Sequence, residues 1–157
     1  PEATHPGTPF LHKDRFARPN GRGKFHAIAY QDPAELPNGE YPYYLTTGRM
    51  FAHYHTGTMT RISEHLDREQ TTGYVDIHPK DARALGVKGG DVLVLRSPRG
   101  RLEAPAHLTE SVEPGCLFLP IHFGENPTNV LTSADAVDPL AKIPEFKVSA
   151  VNVEKLV

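Results

Sequence analysis

Between Thr46 and Arg61 the chain gathers five threonines, two glycines, two histidines and two arginines into sixteen residues. These types suit a phosphate: glycine lets backbone N–H groups approach an anion with no Cβ in the way, threonine hydroxyls donate to its oxygens, and arginine donates two parallel hydrogen bonds. Thr47-Gly48-Arg49 opens the segment and Thr56-Gly57-Thr58 recurs near its end, so the composition is that of a pyrophosphate cradle. The same composition also suits a surface loop rich in turn residues. Neither a Walker A lysine pattern nor a G-x-G-x-x-G stretch occurs, so the usual nucleotide motifs do not decide between the two.

His53 and His55 invite a metal reading, since two imidazoles one residue apart on an extended segment face the same side, and His65 or His122 would complete a set. No H-x-H-x-D or H-E-x-x-H pattern accompanies them. Hydrogen bonding or stacking on a ligand is the better expectation. A histidine-based hydrolase using His53, His55 or His122 as its base stays open as an alternative, but it lacks a partner carboxylate at a persuasive spacing. Cys116 is the single cysteine, which excludes an internal disulfide and any cysteine-only zinc or iron–sulfur site built from this chain. Its neighbours Leu117, Phe118 and Leu119 predict a buried, structural thiol.

The elements that must position the segment are short and separated by turns, as 15 prolines and 13 glycines demand. A strand from Tyr43 to Thr46 runs into Gly48. Gly73 to Ile77 reads as a second strand, followed by a helix from Pro79 to Leu85 closed by Gly86. Lys88 to Asp91 is a tight turn. Strands Asp91 to Ser97 and Arg101 to Leu108 flank a three-residue hairpin loop with Gly100 expected in the left-handed region, and Arg99 in that loop is expected to be dispensable. Pro114-Gly115 turns the chain into a strand at Cys116 to Pro120, and Phe146 to Val153 alternates as a last strand. Residues 1–40, dense in proline and glycine, read as an extended arm or linker in which only Lys24 to Tyr30 alternates as a strand. Such an arm is suited to lie across another domain, and residues 41–157 form the barrel proper. A first residue that is Pro1 and not methionine is expected of a processed product or a piece of a longer polypeptide.

At 157 residues one core is the default, and 17 basic against 19 acidic residues leave a formal charge of −2. Nothing in that balance favours nucleic acid or an anionic membrane. Apolar runs such as Val92 to Leu95 and Cys116 to Ile121 fall far short of the roughly 20 residues that span a bilayer. A soluble chain is expected.

The order strand, short helix, glycine turn, hairpin, turn, strand, carried by Asp81, Leu85, Gly86, Val87, Gly90, Asp91 and Val92, resembles a double-psi β-barrel. The expected class is therefore mainly β with short helices, in the aspartate-decarboxylase-like barrel form. Thr47-Gly48-Arg49 with His53-Tyr54-His55-Thr56-Gly57-Thr58-Met59-Thr60-Arg61 resembles the cofactor segment of the dimethyl sulfoxide reductase family, although relatives usually carry tryptophan where Tyr54 stands. The similarity continues through Pro120-Ile121-His122-Phe123, Asn129-Val130-Leu131-Thr132, Asp138-Pro139-Leu140, Lys142-Ile143-Pro144-Glu145-Phe146-Lys147 and Ala150 to Glu154, with the nearest likeness to formate dehydrogenase and nitrate reductase catalytic subunits.

This resemblance implies a carboxyl-terminal domain that binds bis(molybdopterin guanine dinucleotide), with molybdenum or tungsten. It assigns cofactor contacts to Thr47, Gly48, Arg49, Met50, Phe51, His53, Tyr54, His55, Thr56, Gly57 and Thr58, and further contacts to Ile121, Asn129 and Lys147. It places the metal ligand and any iron–sulfur cluster outside this chain, so no catalytic or metal-ligating residue is expected here. The implied partners are preceding catalytic domains of the same polypeptide or, for a stand-alone barrel subunit, a separate catalytic chain. The implied compartment is cytoplasm or periplasm.

Overall fold

Six strands form because alternating apolar residues meet turn formers at short intervals, and they close on one another. The computed structural model describes residues 4, 7 and 9–156. Its strands are β1 (Tyr43–Gly48), β2 (Val75–Ile77), β3 (Val92–Arg96), β4 (Arg101–Leu108), β5 (Cys116–Pro120) and β6 (Ser149–Lys155), joined by the short helices α1 (Glu64–Glu69) and α2 (Pro79–Ala84) and by 3-10 turns at Thr60–Ile62 and Thr128–Val130. They make a closed barrel in the order β1-β5-β2-β4-β3-β6. β1 pairs β5 and β2 pairs β4 in parallel, and the other four pairings are antiparallel. This is a double-psi β-barrel.

Closure removes the unpaired edges a sheet would otherwise expose, and it turns one side of every strand inward. The interior holds Leu45 from β1, Leu93 and Leu95 from β3, Leu102, Ala104 and Ala106 from β4, and Leu117 and Leu119 from β5. Helix α2 starts at Pro79, where a missing N–H costs nothing, and His78 Nδ1 accepts from Lys80 N at 3.0 Å as its cap. The helix ends where Gly86 enters the left-handed region at φ +66 and Val87 N donates to Ala82 O at 2.8 Å. Asp91 then closes the next turn, its Oδ2 accepting from Lys88 N at 2.7 Å and pairing Lys155 at 2.7 Å, and these partners, Lys155 first, hold its carboxyl below the usual range.

Several expectations need correction. Lys24 to Tyr30 is not a strand: among the described residues none pairs with it, and Phe25, Ile28 and Tyr30 are exposed, so its alternation has no buried face to serve. The last strand begins at Ser149, not Phe146, because Phe146 O is taken by the Thr47 hydroxyl. Gly100 is not left-handed. Glycine is required there because a Cβ would lie 2.7 Å from the Val130 carbonyl oxygen. Cys116 is half-buried, and burial, followed by Glu113 and Asp81, raises its thiol above the ordinary range, in keeping with an unreactive group.

The chain divides into two units, Pro1–Asp32 and Pro33–Val157. Within the first, Arg18-Pro19-Asn20-Gly21 forms a turn closed by Gly21 N donating to Arg18 O at 2.8 Å, with Phe16 N donating to Gly21 O at 3.0 Å. Some of the proline- and glycine-rich stretch read as an arm, including Pro6, lies outside the described residues. Residues 33–40 are tied to the barrel: Ala34 N donates to Glu145 at 3.0 Å, and Glu35 accepts from Ala150 N on β6 at 3.0 Å. Among the described residues no helix is long and apolar enough to cross a membrane.

Candidate cofactor site

β1 and β5 run parallel with Thr47 opposite Leu119 and Gly48 opposite Pro120, so their carboxyl ends release two loops side by side. Residues 49–62 leave β1 and residues 121–130 leave β5. Ile121 N donates to Gly48 O at 3.0 Å, stitching the two loops where they begin. Gly48 permits this closeness, since a Cβ there would fall 2.7 Å from the Phe118 ring. Thr47 is buried and its hydroxyl donates to Phe146 O at 2.6 Å, while Lys147 Nζ donates to Thr47 O. The Thr47 hydroxyl is therefore not free for a phosphate. An ammonium carries three donors, so Lys147 retains two.

His122 organises the first loop from the second. Its Nε2 accepts from Met50 N at 2.7 Å and its Nδ1 donates to His55 O, which fixes the neutral tautomer because a carbonyl can only accept and an amide can only donate. Burial is the main reason its pKa lies below the ordinary value, opposed by the His55 carbonyl and reinforced by His53, Arg49 and His55. His55 itself sits at φ +51, an uncommon backbone for a residue with a side chain. His53 turns inward, with Nε2 donating to Gln70 O at 2.7 Å and Nδ1 at 3.1 Å from the Thr60 hydroxyl. Both ring nitrogens are engaged, so the His53 side chain is a strut of the loop, and its expected ligand contact has no side-chain group to make it.

The two arginines of the segment differ. Arg61 is committed to Glu125 at 2.9 and 2.8 Å and to Asp67 at 3.3 Å, and it lies over the Phe123 ring. Arg61 beside Glu125 holds that carboxyl down to about 2. Because the folded carboxyl is depressed, this link is complete above the ordinary value of 4.5 and is lost as pH falls from there through about 2. A carboxyl-carbon NMR titration of Glu125 should show that low midpoint, and Arg61→Gln should return it toward 4.5. Glu125 is largely exposed, so the pair's effect on stability is expected to be small. Arg49, by contrast, has no ion-pair partner among the described residues. Its guanidinium rests 5.6 Å from the Tyr54 ring centroid.

Eight of the fourteen expected contact residues line two clefts. One, of about 500 Å³, takes Arg49, Met50 and Phe51 against Gln70, Tyr74 and Phe118. The other, of about 530 Å³, takes Thr56, Gly57 and Thr58 from the first loop and Ile121 and Asn129 from the second, with Thr128 behind them. Tyr54 and His55 are exposed and line neither cleft. The structure thus brings Ile121 and Asn129, more than sixty positions away in the chain, to the threonine–glycine run. It also reveals residues that spacing did not single out as supports: His122 as the clasp, Phe118 as the wall against Gly48, and Thr128, whose hydroxyl donates to Pro120 O at 2.8 Å. The Pro-Ile-His run at the end of a strand was the one available signal for the first. Among the described residues no group of three or more histidine, cysteine or carboxylate side chains is placed to hold a metal ion.

Residues 43–150 match the family described as molydopterin dinucleotide binding domain. The chain belongs to this family. It is 46% identical over 155 residues to the F420-dependent formate dehydrogenase subunit alpha of Methanocaldococcus jannaschii, covering 99% of this chain and 23% of that protein. It is 35% identical over 155 residues to the assimilatory nitrate reductase catalytic subunit of Bacillus subtilis, covering 98% of this chain and 22% of that one. The chain therefore spans less than a quarter of the length of these relatives. Among solved structures, acetylene hydratase from Pelobacter acetylenicus superposes with a TM-score of 0.70 at 18% identity, over 82% of this chain and 21% of that one, which supports the same fold. As a molybdopterin dinucleotide-binding domain, the barrel serves the cofactor class of the molybdenum and tungsten oxidoreductases. The residues present fit such a group: a guanidinium with no ion-pair partner among the described residues, an ammonium with spare donors, and a cleft that Gly57 and Asn129 line together.

Proposed function

We propose that this barrel holds the dinucleotide tails of bis(molybdopterin guanine dinucleotide) for a formate dehydrogenase or nitrate reductase type of enzyme. Its catalytic domains would precede it in one polypeptide, or less favourably form a separate chain, in the cytoplasm or periplasm. The bound group supplies two-electron chemistry at its metal. The chain's own residues bind and orient. Arg49 and Lys147 lie beside Gly48 and would hold the anionic pyrophosphate, Thr56 to Thr58 would offer hydroxyls and close backbone approach, and Asn129 would present both a donor and an acceptor edge to a heterocycle.

The unpaired Arg49 beside a glycine at the end of β1 carries this reading. Exposed apolar side chains on the same loop, Phe51, Tyr54, Met59 and Ile62, further support cover by a cofactor and neighbouring domains. A hydrolase built on His53 or His122 finds no support, since both imidazoles spend both nitrogens on the loop.

The test is Arg49→Ala in the catalytic polypeptide to which the domain is assigned. The expected loss is about 1.5–3 kcal/mol of cofactor binding, the usual worth of a hydrogen bond to a charged group. Arg83→Ala, an exposed arginine on α2, should change nothing. Metal analysis and pterin fluorescence after oxidation give the cofactor content per folded protein. Equal content in the two variants would defeat the assignment of this loop.

A further inference from the structure

Arg99 in the β3–β4 turn was expected to be dispensable, and its guanidinium is engaged by both Leu131 and Glu35. Arg99 sends Nε and Nη2 to the carbonyl of Leu131 at 3.1 and 2.7 Å. The same guanidinium grips Glu35 in a fork, at 2.9 Å through Nη1 and 2.7 Å through Nη2. Glu35 in turn accepts from Ala150 N on β6 at 3.0 Å, so the carboxylate is pinned from two sides. Both side chains are mostly covered, 27% and 19% exposed, which shields the pair from the screening that weakens surface ion pairs. Next to it, Gly100 lies so close to the Val130 carbonyl that no Cβ would fit.

The Arg99 and Gly100 contacts fall on Leu131 and Val130, the end of the 3-10 turn Thr128–Val130, which is held from its other side by the Thr128 hydroxyl on Pro120 O at 2.8 Å. Asn129 is the exposed polar residue of the turn, beside the exposed Val130. A three-residue turn has too few hydrogen bonds of its own to hold one geometry, so its rigidity must come from outside.

We propose that Arg99 and Glu35 are positioning residues that lock the Thr128–Val130 turn and so aim Asn129 into the cleft with Thr56 to Thr58. The aim toward a ligand rests on the cofactor-site reading above. The lock itself does not.

The experiment compares the 157-residue chain with Arg99→Ala, Arg99→Lys and Glu35→Gln by NMR. Val130 N and Leu131 N donate to Pro127 O and Thr128 O at 3.0 Å, so their amide exchange reports on the turn, and the β2 amides report on the barrel. In Arg99→Ala these two amides should exchange about tenfold faster while β2 is unchanged, the loss expected of charge-assisted bonds. Glu35→Gln should do the same more weakly. Arg99→Lys should recover only part of the protection, since an ammonium cannot make the fork.

Guanosine diphosphate at millimolar concentration, followed through the Asn129 side-chain amide, should bind Arg99→Ala several-fold more weakly than the parent. Unchanged exchange in both Arg99→Ala and Glu35→Gln would overturn the lock. Faster exchange with undiminished nucleotide binding would overturn the positioning role. A parent chain that ignores the nucleotide while the exchange effect holds would remove the ligand-facing role of Asn129 and leave the lock standing. Should Arg99→Ala fail to fold, Glu35→Gln and Arg99→Lys carry the same comparison.

Discussion

His122→Ala is expected to release the cofactor loop while leaving the barrel closed. The imidazole is buried, accepts from Met50 N at 2.7 Å and donates to His55 O, so its removal orphans two backbone groups and opens a void beside His53 and Phe123. Each orphaned group costs about 1–3 kcal/mol, and the void adds to that, for a total of about 3–5 kcal/mol. Urea unfolding should show the loss, and amide exchange at Met50 should accelerate well before that of Leu117 or Leu119. His122→Gln, which offers one donor and one acceptor, should recover part of it.

The pH dependence follows from the tautomer. Met50 N–H needs a lone pair on Nε2, and protonation would set two donors against each other. Burial foremost keeps the folded pKa below the ordinary 6.5. The neutral form's contribution is therefore complete above 6.5, declines as pH falls below that value, and levels off beneath the folded pKa. The stability difference between the parent and His122→Gln should shrink over that window. A difference independent of pH would show that the ring is not held neutral by this clasp.

The barrel was legible in the sequence because its strands obey local rules. Arg101 to Leu108 alternates across a hairpin, Cys116 to Pro120 follows a proline–glycine turn, and Pro79 to Gly86 carries both helix signals, so the ends of these elements are set by residues at the ends themselves. Lys24 to Tyr30 shows the limit of that logic. Alternation records a capacity to bury one face, and without a partner strand the capacity is unused. Helix α1 was missed because Glu64–Glu69 carries a single apolar side chain, Leu66, and buries none.

The site was legible in composition and illegible in allocation. Five threonines and two arginines identified the loop, but which of them remain free depends on groups far along the chain. Phe146 consumes the Thr47 hydroxyl, the His53 ring and Tyr54 N share Thr60, and Glu125 consumes Arg61. Arg99 makes the same point from the other direction, since its guanidinium is fastened by the distant Glu35 and Leu131. Spacing arguments see neighbours within a few residues, and a barrel with parallel pairings brings together segments that are distant in sequence.

The second large effect is expected at Gly57, and a matched glycine isolates its cause. Gly57 and Gly86 share a left-handed backbone, at φ +75 and +66, so alanine at either meets the same conformational cost of about 1–2 kcal/mol. Their surroundings differ. A Cβ at Gly86 meets nothing within 4 Å, whereas one at Gly57 falls 3.0 Å from the His122 carbonyl oxygen and 3.1 Å from Arg61 Cδ. The carbonyl belongs to the backbone that carries the clasp, and Arg61 is anchored on Glu125, so neither yields freely. Crowding of this kind adds about 1–3 kcal/mol. Gly57→Ala should therefore destabilise the chain by about 2–5 kcal/mol in urea unfolding, against about 1–2 kcal/mol for Gly86→Ala. In the catalytic polypeptide proposed above, only Gly57→Ala should also lower the pterin retained per folded protein, because only there does the added methyl push the threonine run away from Ile121 and Asn129. Equal destabilisation and equal pterin retention in the two variants would mean that Gly57 answers to its own backbone alone and that the cradle does not depend on the closeness of the two loops.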